Sequence, residues 1–188
     1  MDGDTRSDTR PAVAPEAASL LDQFKRSAAA KLRQDLAQVL RCARLLTLNE
    51  LWHRSNDHCN SVGSLLLHLT GNVRQWILAG IGGESFERDR PAEFGQRVAL
   101  PAEPILAELE RVACAAIDMI EQLDPAGLAR RCSIQGYDVS ALQAVFHVAE
   151  HFSFHTGQIV HMTKVLRSVD LSLYDAQGRR LAAGSEPW

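Results

Sequence analysis

Apolar residues recur at every third or fourth position along four stretches of the chain, the spacing of helices that each bury one face. The first stretch runs from Leu20 to about Leu46, with Leu21, Phe24, Ala28, Leu32, Leu36, Val39 and Ala43 on one side and Lys, Arg, Gln and Asp on the other. The second runs from about Val62 to Ala79 on Val62, Leu65, Leu66, Leu69, Val73, Trp76 and Ile77. Asn60 or Ser61 suits its N-cap, and Gly80, Gly82 and Gly83 end it. The third starts within residues 101–104, where proline fits a first turn, and carries Ile105, Leu109, Val112, Ala116, Met119, Ile120 and Leu123 until Asp124 and Pro125 stop it. The fourth is long, from about Ser140 to Arg167, with Ser140 or Asp138 as its cap and Val145, Ala149, Phe152, Thr156, Ile159 and Thr163 as its face.

The segments between are uneven. Residues 47–60 form a connection whose Trp52 is expected to pack on the helices. Residues 84–100 are charged and longer than most structureless loops, which predicts a crossover that lets the next helix take a new direction. Residues 126–139 are rich in turns and have room for a short extended stretch. The expectation is all-α: a four-helix bundle over residues 18–175, between tails at 1–17 and 176–188. Leu171, Leu173 and Tyr174 should pack back, and residues 184–188 should hang loose.

The fourth helix carries more than an apolar face. His147, His151 and His155 recur every fourth residue, so they stack one turn apart on one side. Two imidazoles at that spacing can chelate one divalent metal. His147/His151 and His151/His155 both qualify, but all three cannot serve one ion, because two turns span about 11 Å. His68 flanks the apolar face of the second helix and could supply a third donor. Three neutral imidazoles leave a coordination position open, the pattern of catalytic rather than structural zinc. The donor type is compatible with zinc, nickel, copper or iron. Ligating histidines need partners for their other nitrogen. Asn72, one turn beyond His68, Gln158, which returns to the histidine face, and His147, one turn before His151, are candidates. Glu150 adjoins His151 but points away from that face. Trp52, Trp76 and Tyr137 are candidate pocket walls, with ordinary packing as the plainer role.

Composition narrows the partners. A net charge of −3 offers no basic field for nucleic acid or an anionic membrane. No apolar run approaches the roughly 20 residues of a membrane helix. The polar N-terminus has no hydrophobic stretch behind it, so no secretory signal is expected and the cytoplasm is the predicted location. Cys42, Cys59, Cys114 and Cys132 contain no Cys-x-x-Cys pair and read as free thiols, two of them buried on helices.

Four stretches carry a family resemblance: His-Leu-Thr-Gly-Asn-Val-Arg-Gln-Trp-Ile at 68–77, Arg-Asp-Arg-Pro-Ala-Glu-Phe at 88–94, Ser-Ile-Gln-Gly-Tyr-Asp-Val at 133–139, and Glu-His-Phe-Ser-Phe-His-Thr-Gly-Gln-Ile at 150–159. With them the chain resembles the DinB-like (DinB/YfiT) superfamily of metalloenzymes, in a branch of unassigned function, over roughly residues 20–174. The most specific element is His-x-x-x-His-x-Gly-Gln. The resemblance implies an up-down-down-up bundle with the long crossover between helices two and three. It implies a divalent metal, zinc or nickel foremost with iron or copper as alternatives, on His68, His151 and His155. His147 falls at a common but non-ligating position. It further implies a homodimer and a small-molecule substrate, in some relatives a low-molecular-weight thiol used by transferases that act on small electrophiles. The alternatives are a metal-dependent small-molecule hydrolase and a non-catalytic, stress-related metal-binding module.

Overall fold

The computed structural model describes residues 15–179 and 181. In chain order the elements are α1 (Pro15–Arg44), α2 (Leu48–Leu51), α3 (Val62–Val73), a π-helical turn (Arg74–Ala79), α4 (Arg90–Gly95), α5 (Ala102–Gln122), α6 (Pro125–Ala129), β1 (Arg131–Ile134), β2 (Tyr137–Ser140) and α7 (Ala141–Arg167). The protein is mostly helical, with one two-stranded sheet.

The four long helices occur where the apolar periodicity places them. Helix α1 begins at Pro15, ahead of Leu20, and ends at Arg44, short of Leu46. Residues 15–17 therefore belong to the helix rather than to a tail; the rest of the expected N-terminal tail and residues 184–188 lie outside the described residues. Ser61 caps α3 by accepting from the backbone N–H of Ser64, and Ser140 caps α7 in a reciprocal capping box with Gln143.

Three short helices depart from expectation. Residues 47–60 are not a plain connection: Thr47 and Glu50 form a capping box that starts α2. The crossover is not a plain loop, because Asp89 caps α4 inside it. Asp124 and Pro125 do stop α5, but Asp124 then caps α6. Helices of four to six residues are too short to show periodicity, so only their caps announce them. Helix α3 also does not run on as an α-helix to Ala79. It widens into the π-turn, which buries the consecutive side chains Trp76, Ile77 and Leu78.

Helix α1 packs on α5 and α7, and α3 packs on the same two, so one apolar core lies between all four. Phe152, Leu66, Leu69, Ile77, Leu109 and Ile120 are sealed within it. Polar contacts fix the pairings. The Ser153 hydroxyl donates to Asp35 Oδ2 (2.6 Å), Arg33 pairs with Glu121 (2.7 Å) and Arg44 with Glu110 (3.9 Å). On the other side, Arg74 meets Glu108 at 3.9 Å.

The extended stretch foreseen in 126–139 is an antiparallel hairpin pairing Arg131 with Ser140 and Ile134 with Tyr137. Its two-residue turn has positive φ at Gln135 (53°) and Gly136 (81°), the twist that matches hairpin strands and that glycine adopts without strain. Leu171 is buried and Leu173 packs on the core, but Tyr174 is exposed rather than packed back. The cysteines are free; Cys42 is buried on α1, whereas the second buried thiol, Cys132, lies on a strand and not on a helix. Among the described residues no helix is long and apolar enough to cross a membrane.

Candidate metal centre

The helical period places His151 and His155 on one side of α7, and α3 presents His68 to them. One ligand atom from each residue comes within 4.8 Å of the others. His68 and His155 are buried and His151 is half-buried. His147 lies one turn back, stacked on His151 with ring centroids 5.3 Å apart, and stands outside the group.

The hydrogen bonds settle which nitrogens face inward. Glu93 Oε2 lies 2.9 Å and Arg88 Nη2 3.0 Å from Nδ1 of His68. The two hydrogens of Nη2 have acceptors in Glu93 Oε2 and the His68 carbonyl, and the carboxylate only accepts, so Nδ1 carries the proton and Nε2 keeps its lone pair. Gln158 Oε1 lies 2.8 Å from Nδ1 of His155, which by the same reasoning donates to it and frees that Nε2. Nε2 of His68 then faces Nε2 of His151 at 2.9 Å. Two facing imine nitrogens can share one proton or one cation. At metal–nitrogen lengths of about 2.0–2.1 Å, tetrahedral ligands stand about 3.3 Å apart, so this spacing suits a small divalent ion with little movement.

Glu93 has its own support. Arg88 donates through Nε to Oε1 (2.6 Å) and through Nη2 to Oε2 (2.8 Å), a bidentate pair in which both side chains are nearly buried. Burial alone would push the Glu93 carboxyl up. Its hydrogen bonds from His68 and Arg88, with the Arg88 charge, outweigh that and hold it below the usual range. Arg88 Nη1 donates to Gln75 Oε1 (3.0 Å), which also accepts from Gln135 at the hairpin tip. This carboxylate can come so close because residue 71 has no side chain: a Cβ on Gly71 would stand 2.1 Å from Glu93 Oε1 and 2.9 Å from Arg88 Nε. Helix α4 also brings Phe94 against the His68 ring, with centroids 4.7 Å apart. Arg54 ties the segment down by donating to the Phe94 carbonyl (3.0 Å) and to Ser64 (2.7 Å).

Of the three supporting residues foreseen, Gln158 reaches a ligand-set histidine directly. Asn72 does not support His68; its Nδ2 approaches Nε2 of His147 at 3.4 Å. His147 packs between Trp76 (4.1 Å between rings) and His151 and makes no bond to the inward nitrogens. Trp76 is thus buried behind the centre. Trp52 packs over Gly63 and donates from Nε1 to the Leu100 carbonyl (2.9 Å), and Tyr137 is exposed, so neither lines the site. Glu93, Arg88 and Phe94 were missed. Their one signal was the Arg-Asp-Arg-Pro-Ala-Glu-Phe stretch, in which Asp89 followed by Pro91 marks a helix start.

Burial pushes the His151 imidazolium down to about 3, helped by the neighbouring His155, His68, His147 and Arg88. Burial also lowers His155, against the opposing bond to Gln158, and lowers His147. The folded, metal-free protein therefore keeps these rings neutral where the unfolded chain, near 6.5, takes up protons. More protons on the unfolded state mean that stability rises with pH. The metal-free melting temperature is expected to fall as pH drops from about 6.5 towards 3. Melting curves of the chelated protein across that range check this, and a flat profile would contradict it.

Residues 19–175 match the model of a family described as protein of unknown function (DUF1572). No curated protein is similar in sequence. Among solved structures, the chain is similar to a DinB-like protein from Bacillus cereus ATCC 10987, with 16% identity, 70% of this chain and 85% of that chain covered, and a TM-score of 0.56. It is also similar to YfiT from Bacillus subtilis, described as a probable metal-dependent hydrolase with an unusual four-helix bundle topology, with 15% identity, 85% and 93% covered, and a TM-score of 0.58. At these identities the two likenesses establish a shared fold.

Proposed function

The chain belongs to the DUF1572 family, and from its histidine centre we propose that it is a metal-dependent enzyme acting on a small molecule. The observation that carries this is the convergence of inward nitrogens from His68, His151 and His155, with the outward nitrogens of His68 and His155 tied to Glu93 and Gln158. A divalent ion held there would polarise a substrate oxygen or acidify a water or thiol. The chain's own residues do the rest. Glu93 and Gln158 hold two imidazoles in the ligating tautomer. Phe94, Phe154 and the His147–Trp76 pair wall the three rings and limit water around them.

The up-down-down-up order is part of this reading. The Asp35–Ser153 contact, with Cys42 facing Thr163 further along, supports α1 running with α7. Arg33–Glu121 and Arg44–Glu110 support α5 running against α1. His68 beside His151 and Trp76 beside His147 support α3 running against α7.

Hydrolysis and thiol transfer could both use such a centre; the description of YfiT favours hydrolysis. Metal analysis of the purified protein, followed by turnover of ester, amide and thiol-plus-electrophile substrates with and without chelator, tests the proposal. The expected result is about one metal per chain and chelator-sensitive turnover of one substrate class. A fully metal-loaded protein inert towards all three would overturn it in favour of a metal-binding module.

A further inference from the structure

Arg90 is an exposed cation of the α4 segment that builds one wall of the centre. Its guanidinium lies over the Phe94 ring, 5.0 Å from the centroid, and that ring packs on His68. Among the described residues, no carboxylate pairs with it. Its neighbours differ: Arg88 is spent on Glu93, and Arg97 donates to the Phe94 carbonyl. Nor does Arg90 help its own helix. It occupies the first turn of α4, where the helix dipole disfavours a positive charge. A cation that gains nothing from its helix and forms no ion pair is free to take a ligand. The contact with Phe94 limits how far it swings and keeps it two contacts from a candidate metal ligand.

Around the three histidines the walls are aromatic: Phe94 against His68, Phe154 edge-on to His155 at 5.2 Å, and Trp76 with His147 behind His151. Of the exposed carboxylates nearby in the chain, Glu150 lies on α7 beside His151, and Asp89 is held at the α4 cap by the Ala92 N–H (3.0 Å). The α4 rim thus carries an aromatic ring, a carboxylate spent on the helix cap and one guanidinium that no carboxylate among the described residues pairs.

We propose that Arg90 is an anion-binding subsite of this centre, which takes small molecules with a carboxylate or similar anionic group at the end remote from the metal. The guanidinium fork matches a carboxylate in a two-point bond, and the aromatic walls take the apolar chain between. This rests on the metal-dependent reading above, and the test separates the two.

The full chain is loaded with Co²⁺, and its visible absorption is titrated with glutarate and, separately, with butyrate. Both can place one carboxylate on the metal, but only glutarate carries a second for Arg90. Glutarate is expected to bind about fivefold more tightly than butyrate, the upper end for a partly exposed ion pair. Arg90→Met should abolish that preference while butyrate affinity, Co²⁺ stoichiometry and melting temperature stay unchanged. Arg90→Lys should retain part of it. Equal binding of the two acids by the wild type, or a preference that survives Arg90→Met, overturns the subsite. Failure to bind Co²⁺ at one per chain overturns the metal reading itself, and the subsite with it.

Discussion

Replacing His151 with alanine is expected to abolish stoichiometric metal binding while costing the metal-free fold only about 1 kcal/mol. Two effects set the outcome. A four-ligand structural zinc site contributes about 10–16 kcal/mol, so one imidazole of such a set is worth roughly 3 kcal/mol, more than a hundredfold in affinity. Without metal, the same ring faces another imidazole nitrogen at 2.9 Å and is held neutral by burial, down to about 3. Removing it gives up that one hydrogen bond, worth about 1 kcal/mol, and its half-buried position limits the cavity left behind. A core histidine would behave in the opposite way, costing more stability with no change in metal content. Metal analysis and melting curves of His151→Ala, with and without chelator, distinguish the two. His147→Ala is the matched control: it shares the four-residue spacing but lies outside the converging group, so it should keep its metal.

Glu93→Ala is expected to be the most damaging change to the metal-free fold. It strands the Arg88 guanidinium, whose side chain is 3% exposed, and breaking one half of a buried pair costs about 3–5 kcal/mol. The lower end applies, because Arg88 keeps bonds to Gln75 and to the His68 carbonyl. Glu93→Gln keeps the shape and an acceptor for Nδ1 of His68, so the fold should survive while metal affinity falls about 10–100-fold, the usual effect of losing a ligand's carboxylate partner. Gly71→Ala should resemble Glu93→Gln by another route, since its Cβ would displace the Glu93 carboxylate from His68. Denaturant unfolding and competitive metal titration of the three variants check this. Wild-type metal affinity in Glu93→Gln would show that the carboxylate braces the fold alone.

These two predictions differ in how far the sequence could have led to them. His151 follows from spacing: four residues are one turn, whatever the helix packs against. Gln158 follows in the same way, lying three residues past His155, and it bonds that ring. The long helices follow from apolar periodicity, and the caps at Ser61 and Ser140 from residue type. Glu93 could not be reached by this route. It lies 25 residues from His68 in a segment that reads as a charged loop, and α4 is too short to show a period.

Asn72 shows the converse error. By spacing it should sit beside His68, and along the helix it does, yet its carboxamide turns to His147 on the neighbouring helix. A residue's place along its own helix is local information; its partner across the interface is not.

The sequence by itself determined what a single helix can determine. It set which side chains share a face and where three of the four long helices begin, and it put two histidines one turn apart with a glutamine to hold one of them. Those properties depend on a fixed rise and turn per residue. Only the tertiary structure decided that His68 meets that pair, that a glycine on α3 leaves room for a carboxylate from the crossover, and that Arg88 keeps that carboxylate charged. Those depend on how separate elements are laid against one another. That arrangement is set by the packing of the whole core, which no local period encodes.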